Sequence, residues 1–260
     1  MIVDPAMSDH TVPILKKAVA VLKAVAEGRE ETTTKALAYS LGIPASSVYR
    51  ILQTFLSEDW VRAAPGGRHE LSFGLLPLLE PLARHEFLIE TSRPHLARLA
   101  AETGLAAKLS VRQHDRAIAL ARVESPRETA VSVRVGATFH LALGSSGAAL
   151  ISELSAAERN RVLDGAPAGC WDRQTRADVD KRIAECRRTG ACADFGGYQP
   201  SVHALSSPVR GQAGDIVGVF TLVGFADDFA GRRAKAHRDR LLAAAAACSA
   251  QLQGKLPAAA

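Results

Sequence analysis

The sequence predicts an α+β protein in which a helical N-terminal unit precedes a mixed unit built around an antiparallel sheet. Two observations predict this fold class. The first is that apolar residues recur at helical spacing in the first part of the chain. The second is that, beyond Gly104, short apolar stretches typical of strands are interspersed with stretches of helical periodicity. At 260 residues, the chain is long enough for two domains of ordinary size.

Three helices are predicted in the N-terminal unit. From Pro13 to Glu27 apolar side chains recur every three or four residues, and Gly28 follows where a left-handed C-cap would end a helix. The threonines 32–34 are N-cap candidates for a short second helix, which Gly42 closes. The third helix is predicted to begin near Pro44, because the fixed φ of proline suits a first helical turn.

The third helix is predicted to have one apolar and one polar face. Val48 and Leu52 belong to the apolar arc, whereas Arg50 and Gln53 lie opposite and Tyr49 lies at the border. Two helices joined by a glycine turn, the second exposing short polar groups and an arginine, indicate a helix-turn-helix. The following stretch, "WVRAAPGGRHELSF", predicts two strands around a glycine tip, which is a wing with a basic end.

Such a helix can enter the major groove of DNA, where arginine donates to guanine, glutamine pairs with adenine and hydroxyls reach phosphates. Net charge gives no support, since residues 1–80 hold 8 Lys and Arg against 9 Asp and Glu. A polar helix face is often exposed to water without any binding role, and winged helices also bind proteins. The prediction of DNA binding therefore depends on the order of three helices followed by a glycine-tipped hairpin. The predicted DNA-contacting residues are Thr33, Thr34, Ser46, Ser47, Tyr49, Arg50, Gln53, Thr54 and Arg68.

A leucine-rich stretch at 75–90 predicts a linker helix between the winged unit, 12–74, and a second domain, 91–254. Residues 1–11 and 255–260 are expected to be tails. The linker is interpreted either as a dimer seam or as a segment buried against its own domain. Prolines remove a backbone donor and are expected to mark helix starts or breaks here; they are Pro77, Pro81 and Pro94.

The second domain is predicted to contain a hairpin around "RQHDR", a strand in the alternating "AVSVRVG" and a buried strand in "GDIVGVFTLVG". Helices are expected on one side of an antiparallel sheet. Their predicted ranges are about 145–154, 155–164, 175–189 and 228–253.

The segment "FHLALGSSGAA" is the candidate ligand-binding stretch of this domain. Gly144, Ser145, Ser146 and Gly147 stand just before a helical run, so backbone amides and serine hydroxyls there could hold an anion. N-capping by the serines is the competing interpretation. The stretch is too short for a nucleophile elbow, in which a serine stands between two spaced glycines.

From Val12 to Leu252 the chain resembles the IclR-type family of bacterial transcriptional regulators. The resemblance depends on the order and spacing of several stretches rather than on any one of them. They include "AVAVLKAVAE", "LGIPASSVYRILQTFLSEDWV", "HELSFGLLPL", "RPHLARLAAETGLAAKLSV", "AIALARVES", "SSGAALIS", "TGACADFGGYQPSV" and "SSPVRGQAGDIVGVFTLVG".

The resemblance implies a winged helix-turn-helix, a linker helix and a C-terminal effector domain of GAF-like topology, assembled as a homodimer or homotetramer on double-stranded operator DNA. It places a small organic acid or aromatic metabolite in a pocket closed at one end by 144–147. His203 is interpreted either as a pocket residue or as part of the sheet edge. The expected effector-binding residues are Phe139, Ser145, Ser146, Gly147, Asp194, His203, Ala204, Thr221 and Val223.

Four departures from the family pattern predict a less polar pocket than is usual. Ala142 replaces a histidine, Ala148 replaces a lysine, and Ala204 and Val223 replace polar or thiol side chains. Because buried donors left unpaired penalise a wrong ligand by about 1–3 kcal/mol each, a larger aromatic or apolar ligand is favoured over a two- or three-carbon acid. Loss of the ligand response is the alternative.

Other function classes have weaker support. No apolar run reaches the roughly 18 residues that span a bilayer, and no signal peptide is recognised, so a cytoplasmic protein without membrane contact is expected. The four cysteines lack metal-ligand spacing, and no cofactor is predicted. An enzyme using 139–149 is disfavoured because no acid partner is placed for His140 and Ser145. A constitutive DNA-binding protein whose second domain only oligomerises is a further alternative.

Overall fold

The computed structural model describes residues 11–28, 31–79 and 85–255, and the chain divides into two compact units between Arg84 and His85. Most of both predicted tails, and part of the predicted linker helix, therefore lie outside the described residues.

The N-terminal unit contains the three predicted helices and the predicted hairpin. Their apolar faces meet in one core, in which Val21, Val48 and Leu52 are fully buried. This is the helix-turn-helix with a wing that the helical periodicity and the glycine-tipped turn predict. The elements are α1 (Pro13–Glu27), α2 (Thr34–Leu41), α3 (Ala45–Ser57), β1 (Val61–Ala64), β2 (Arg68–Leu71) and the short α4 (Leu76–Leu79).

Glycine residues end α1 and α2, and a threonine caps the start of α2, where the sequence predicts. Gly28 and Gly42 have φ values of 56° and 63°, the left-handed conformation that glycine adopts without a Cβ penalty. The Thr33 hydroxyl accepts a hydrogen bond from the Ala36 backbone N–H at 3.2 Å, as an N-cap does. The turn between α2 and α3 is therefore fixed by backbone geometry, and α3 leaves it in a defined direction.

The wing is attached to the helices by specific contacts. The His69 N–H donates to the Thr32 carbonyl at 3.2 Å, and Trp60 stacks on Phe55 of α3 with ring centroids 5.7 Å apart. A Cβ at Gly74 would lie 2.3 Å from the Asp59 carbonyl oxygen, so only glycine allows this close approach. These contacts hold the wing beside α3.

The C-terminal unit is built on a six-stranded antiparallel sheet with the strand order β5-β4-β3-β8-β7-β6. The predicted hairpin and the predicted buried strand are its central members, β3, β4 and β8. The strands are β3 (Ala106–Gln113), β4 (Arg116–Val123), β5 (Thr138–His140), β6 (Cys192–Gln199), β7 (Val202–Arg210) and β8 (Ile216–Phe225).

Helices cover both faces of this sheet, so the expectation of helices on one side is wrong. Alternate strand residues point to opposite faces, and Leu109 and Phe220 are fully buried on the face that α5 and α9 cover. Val219 points the other way, into a second core with α6 and α8. The helices are α5 (Glu86–Thr103), α6 (Gly144–Leu150), α7 (Ala156–Asp164), α8 (Arg176–Thr189) and α9 (Arg232–Lys255).

Two further predictions fail for physical reasons. Pro94 lies inside α5 and does not break it, since α5 continues into buried Leu96 and Leu99, whose packing compensates for one missing hydrogen bond. That helix also runs without interruption through the predicted domain boundary at residues 90 and 91. The "AVSVRVG" stretch is not a strand: residues 131–134 line a cavity, with Val131 and Val133 half-buried and the residues between and after them exposed.

Candidate functional sites

The outer face of α3 is polar and accessible. Tyr49 is 56% exposed, Arg50 and Gln53 are exposed, and Val48 and Leu52 on the other side are fully buried. Within the described part of the chain the Arg50 guanidinium has no ion pair. The helix therefore presents a free cation and an amide to solvent, which are the groups that read base edges in a major groove.

The remaining predicted DNA contacts differ in how available they are. Ser46 and Thr54 are exposed, whereas Ser47, Thr33 and Thr34 are half-buried. At the wing tip, exposed Arg68 donates from Nε to the Pro65 carbonyl at 3.2 Å and leaves its terminal nitrogens outward. Tyr39 on α2 is 91% exposed and is a further candidate for a DNA contact. The sequence does not predict it, because nothing in the sequence distinguishes Tyr39 from a core aromatic residue.

The C-terminal unit encloses a cavity of about 250 Å³ between the sheet and the start of α6. Its walls come from β3, β5, β6, β7 and β8, from residues 131–134, and from α6. The lining includes most of the predicted effector-binding residues: Phe139, Ser145, Ser146, Asp194, Ala204, Thr221 and Val223.

Two predicted pocket residues do not line this cavity. His203 points to the opposite face of β7 from Val202 and Ala204, because strand residues alternate, and it packs against Phe195 and Phe229 at centroid distances of 5.1 and 6.0 Å. Gly147 is not part of the cavity lining, and a Cβ added to it would lie 2.2 Å from the Leu141 carbonyl oxygen. Glycine there allows α6 to pack against the preceding loop.

A chain of buried hydroxyls runs beneath the start of α6. Ser145 Oγ lies 2.8 Å from Ser206 Oγ, Ser206 Oγ lies 2.9 Å from Thr221 Oγ1, and Thr221 Oγ1 lies 3.0 Å from Ser146 Oγ. Neither serine caps α6, so the N-capping interpretation does not hold. Three hydrogen bonds use three of the four hydroxyl hydrogens, which leaves one donor for a partner outside the chain.

Asp194 is a buried carboxylate whose charge is compensated by the protein. Its Oδ1 accepts from Arg182 Nη1 at 2.9 Å, and its Oδ2 accepts from the Tyr198 N–H at 3.1 Å. Arg182 also donates to the Gln174 side chain, which in turn donates to the Ala142 carbonyl at 2.8 Å. Asp194 is therefore part of a fixed network and is not a free anion at the cavity wall.

Lys108 is a functional candidate that the sequence analysis missed. It lies on β3 in the cavity wall, is only 7% exposed, and has Nζ 4.7 Å from the centroid of the Phe139 ring, a cation–π distance. Burial lowers the pKa of Lys108 from 10.5 to about 8. A lysine inside the apolar run "AAKLSV" of a buried strand was the available signal.

The sheet face under the cavity is organised in two rows across neighbouring strands. Lys108 pairs with Thr221, and Thr221 pairs with Ser206, which gives a polar row. In the next row Val223 pairs with Ala204. The cavity floor is thus polar on one side and apolar on the other, a distinction that no single stretch of sequence contains.

The geometry around His140 does not form a nucleophile and a base. His140 Nδ1 accepts from the Ala142 N–H at 3.1 Å, while Ser145 Oγ is bonded to Ser206. Over the described ranges, no group of three or more His, Cys, Asp or Glu side chains is placed to hold a metal ion. In the same ranges no helix is both long and apolar enough to cross a membrane.

Comparisons with known proteins agree with this architecture. The family described as "IclR helix-turn-helix domain" matches residues 14–65, and "Bacterial transcriptional regulator IclR C-terminal" matches residues 82–251. The HTH-type transcriptional regulator TtgV of Pseudomonas putida is 24% identical over 186 residues, which cover 71% of each chain.

The fold is also shared by solved structures, among them the following two. The IclR of Thermotoga maritima has a TM-score of 0.73 at 16% identity, covering 92% of this chain and 98% of the other. An IclR homologue from Microbacterium hydrocarbonoxydans, complexed with 4-hydroxybenzoate, has a TM-score of 0.72 at 18% identity and covers 93% and 100% of the two chains.

A winged helix-turn-helix followed by a cavity-bearing effector domain defines a DNA-binding transcriptional regulator. The chain belongs to the IclR family of bacterial transcriptional regulators, since the two family matches together span most of its length.

Proposed function

We propose that this regulator binds operator DNA through the polar face of α3 and that a small aromatic metabolite in the C-terminal cavity changes its operator affinity. The first half of the proposal rests on the exposed Arg50 and Gln53, which lie on a helix whose other side is core; no ion pair holds Arg50 among the described residues. Effector coupling of this kind typically amounts to about 1–3 kcal/mol.

The cavity supports an aromatic ligand. An apolar cavity of about 150 Å³ is known to accept benzene, so about 250 Å³ leaves room for one substituted ring. Phe139 and Tyr198 line the cavity with ring centroids 6.3 Å apart, which provides aromatic contacts. The relative complexed with 4-hydroxybenzoate supports the same ligand class.

A homodimer or homotetramer is part of the proposal. Three large apolar side chains on α1 are more than half exposed, namely Ile14 at 51%, Leu15 at 60% and Val19 at 52%, and Phe73 in the same unit is 83% exposed. Large exposed apolar patches are typical of protein interfaces. A second copy of the chain is the partner that places two α3 helices on the two halves of a partly palindromic operator.

Replacing Arg50 by alanine tests the DNA-binding surface. The operator is first isolated by selecting fragments of the source genome that bind the purified protein. We expect Arg50→Ala to weaken operator binding by about 1–3 kcal/mol and to relax preference at one base position, because a bidentate guanine contact is lost. Fluorescence anisotropy on the operator and on single-base variants measures both effects.

Arg98→Ala is the matched control, since Arg98 is an exposed arginine of the C-terminal unit that pairs with Glu102. It should leave operator affinity unchanged. If Arg50→Ala weakens binding equally on all DNA sequences and lowers the slope of log affinity against log salt concentration by about 1, Arg50 contacts a phosphate instead. Equal affinities of Arg50→Ala and the wild type would contradict the assigned surface.

The second candidate function is a constitutive regulator whose C-terminal domain only oligomerises. It is favoured by Ala142 and Ala148, which stand where the family often has histidine and lysine. Adding candidate aromatic metabolites to the operator complex separates the two. A metabolite that shifts operator affinity supports the first candidate, and binding of a metabolite without any shift supports the second.

A further inference from the structure

We propose that Lys108 is the counter-ion for a ligand carboxylate, so that the cavity selects a single-ring aromatic monocarboxylate over its neutral analogues. The inference rests on the proposed effector function and specifies the class of ligand.

The charge of Lys108 is not compensated by any anionic group in residues 11–28, 31–79 and 85–255. Within the described residues its Nζ makes no hydrogen bond or ion pair, and its one specific contact is with the face of Phe139. Buried lysines are normally paired, because moving an ammonium out of water is costly. Lys108 is 93% buried in the cavity wall and has no carboxylate partner there, so its ammonium group can pair with the anionic group of a bound ligand.

The other charged groups around the cavity are already paired within the protein. Asp194, the carboxylate in the wall, is already paired with Arg182 at 2.9 Å. Arg122, the cross-strand neighbour of Lys108 on β4, pairs with Glu124 at 2.8 Å. Of these described charges the Lys108 ammonium alone has no carboxylate partner, so a monoanion is favoured over a neutral or cationic ligand.

Lys108 belongs to the polar row and lies beside hydroxyls that can bind the same carboxylate. Thr221 is its direct cross-strand neighbour on the same sheet face, and Thr221 belongs to the hydroxyl chain that has one donor left over. A carboxylate here accepts from the ammonium with one oxygen and from a hydroxyl with the other. Its ring then lies over the apolar row of Val223 and Ala204, against Phe139.

Calorimetric titration of the full-length protein with benzoate and with benzamide, its neutral isostere, tests the proposal. We expect the wild type to bind benzoate at least about tenfold more tightly than benzamide, and Lys108→Met to weaken benzoate by about 10- to 100-fold, since hydrogen bonds to charged groups are the strong ones. Benzamide affinity should hardly change in that variant.

Lys181→Met is the matched control, because it removes the same charge from a side chain that is 80% exposed in the same unit. It should bind benzoate as the wild type does. Equal benzoate affinity of Lys108→Met and the wild type overturns the proposal, and so does failure of the wild type to prefer benzoate. Operator binding is measured separately, so retained DNA binding shows that the first half of the proposed function survives such a failure.

The pH dependence of wild-type binding gives a test without substitution. Because the pKa of Lys108 is about 8, benzoate affinity should be nearly constant from pH 6.5 to 7.5 and fall by about tenfold per pH unit above pH 8 as the ammonium deprotonates. Benzamide affinity should stay level. The other charged or titratable groups facing this site are Arg122, Arg134, Arg182, Asp194 and Tyr198. A benzoate affinity that is unchanged up to pH 9.5 overturns the proposal.

Discussion

Replacing Arg182 by methionine is expected to lower the free energy of unfolding of the C-terminal unit by about 3–5 kcal/mol, because the buried Asp194 carboxylate then loses its counter-charge. Both side chains are at most 10% exposed, so water cannot replace the lost partner. The Gln174 side chain also loses its donor. Urea unfolding followed by tryptophan fluorescence measures the change.

Two further variants make this result interpretable. Arg98→Met breaks an exposed pair, with Arg98 79% accessible, and should cost less than about 0.5 kcal/mol. Adding Asp194→Asn to Arg182→Met should recover much of the loss, because the uncompensated charge is removed. Equal effects of Arg182→Met and Arg98→Met would show that the buried pair does not stabilise the cavity wall.

The second large effect is expected from Leu52→Ala in α3. Leu52 is fully buried in the small core of the winged unit, and truncating a buried leucine costs about 2–5 kcal/mol. For a unit with so little apolar surface to bury, this removes most of its stability. Circular dichroism should show a low-temperature unfolding transition, and operator binding should vanish because the unit unfolds.

Gln53→Ala, one residue further along, is the matched control. Gln53 is exposed, so the substitution should leave stability within about 0.5 kcal/mol while it weakens operator binding. A folded Leu52→Ala protein that binds the operator normally would contradict the packing described for α3. Loss of stability in Gln53→Ala would show that the polar face is not free.

Local sequence signals predicted the winged unit well. The glycines at 28 and 42, the threonine cap and the apolar arc of α3 each act within a few residues, and all of them produce the expected element. The alternation of "AVSVRVG" was misleading, because a segment that lines a cavity shows the same pattern as a strand.

The cavity was less predictable because distant residues form it. Phe139, Ser145 and Thr221 were predicted by family resemblance, but the resemblance did not identify Lys108. Strand alternation alone would have excluded His203 once Ala204 was assigned to the cavity side. The predicted scarcity of polar groups followed from four positions of the family pattern, whereas Lys108, Tyr198 and Arg134 lie outside those positions.

The most direct test of the account is operator binding by the wild type and by a protein in which Arg50 and Gln53 are both alanine, measured over a range of salt concentrations. The account predicts that the wild type discriminates its operator from scrambled duplex and that the double variant, folded and equally stable, binds both duplexes alike. A double variant that retains full discrimination would contradict the assignment of α3 as the DNA-reading helix.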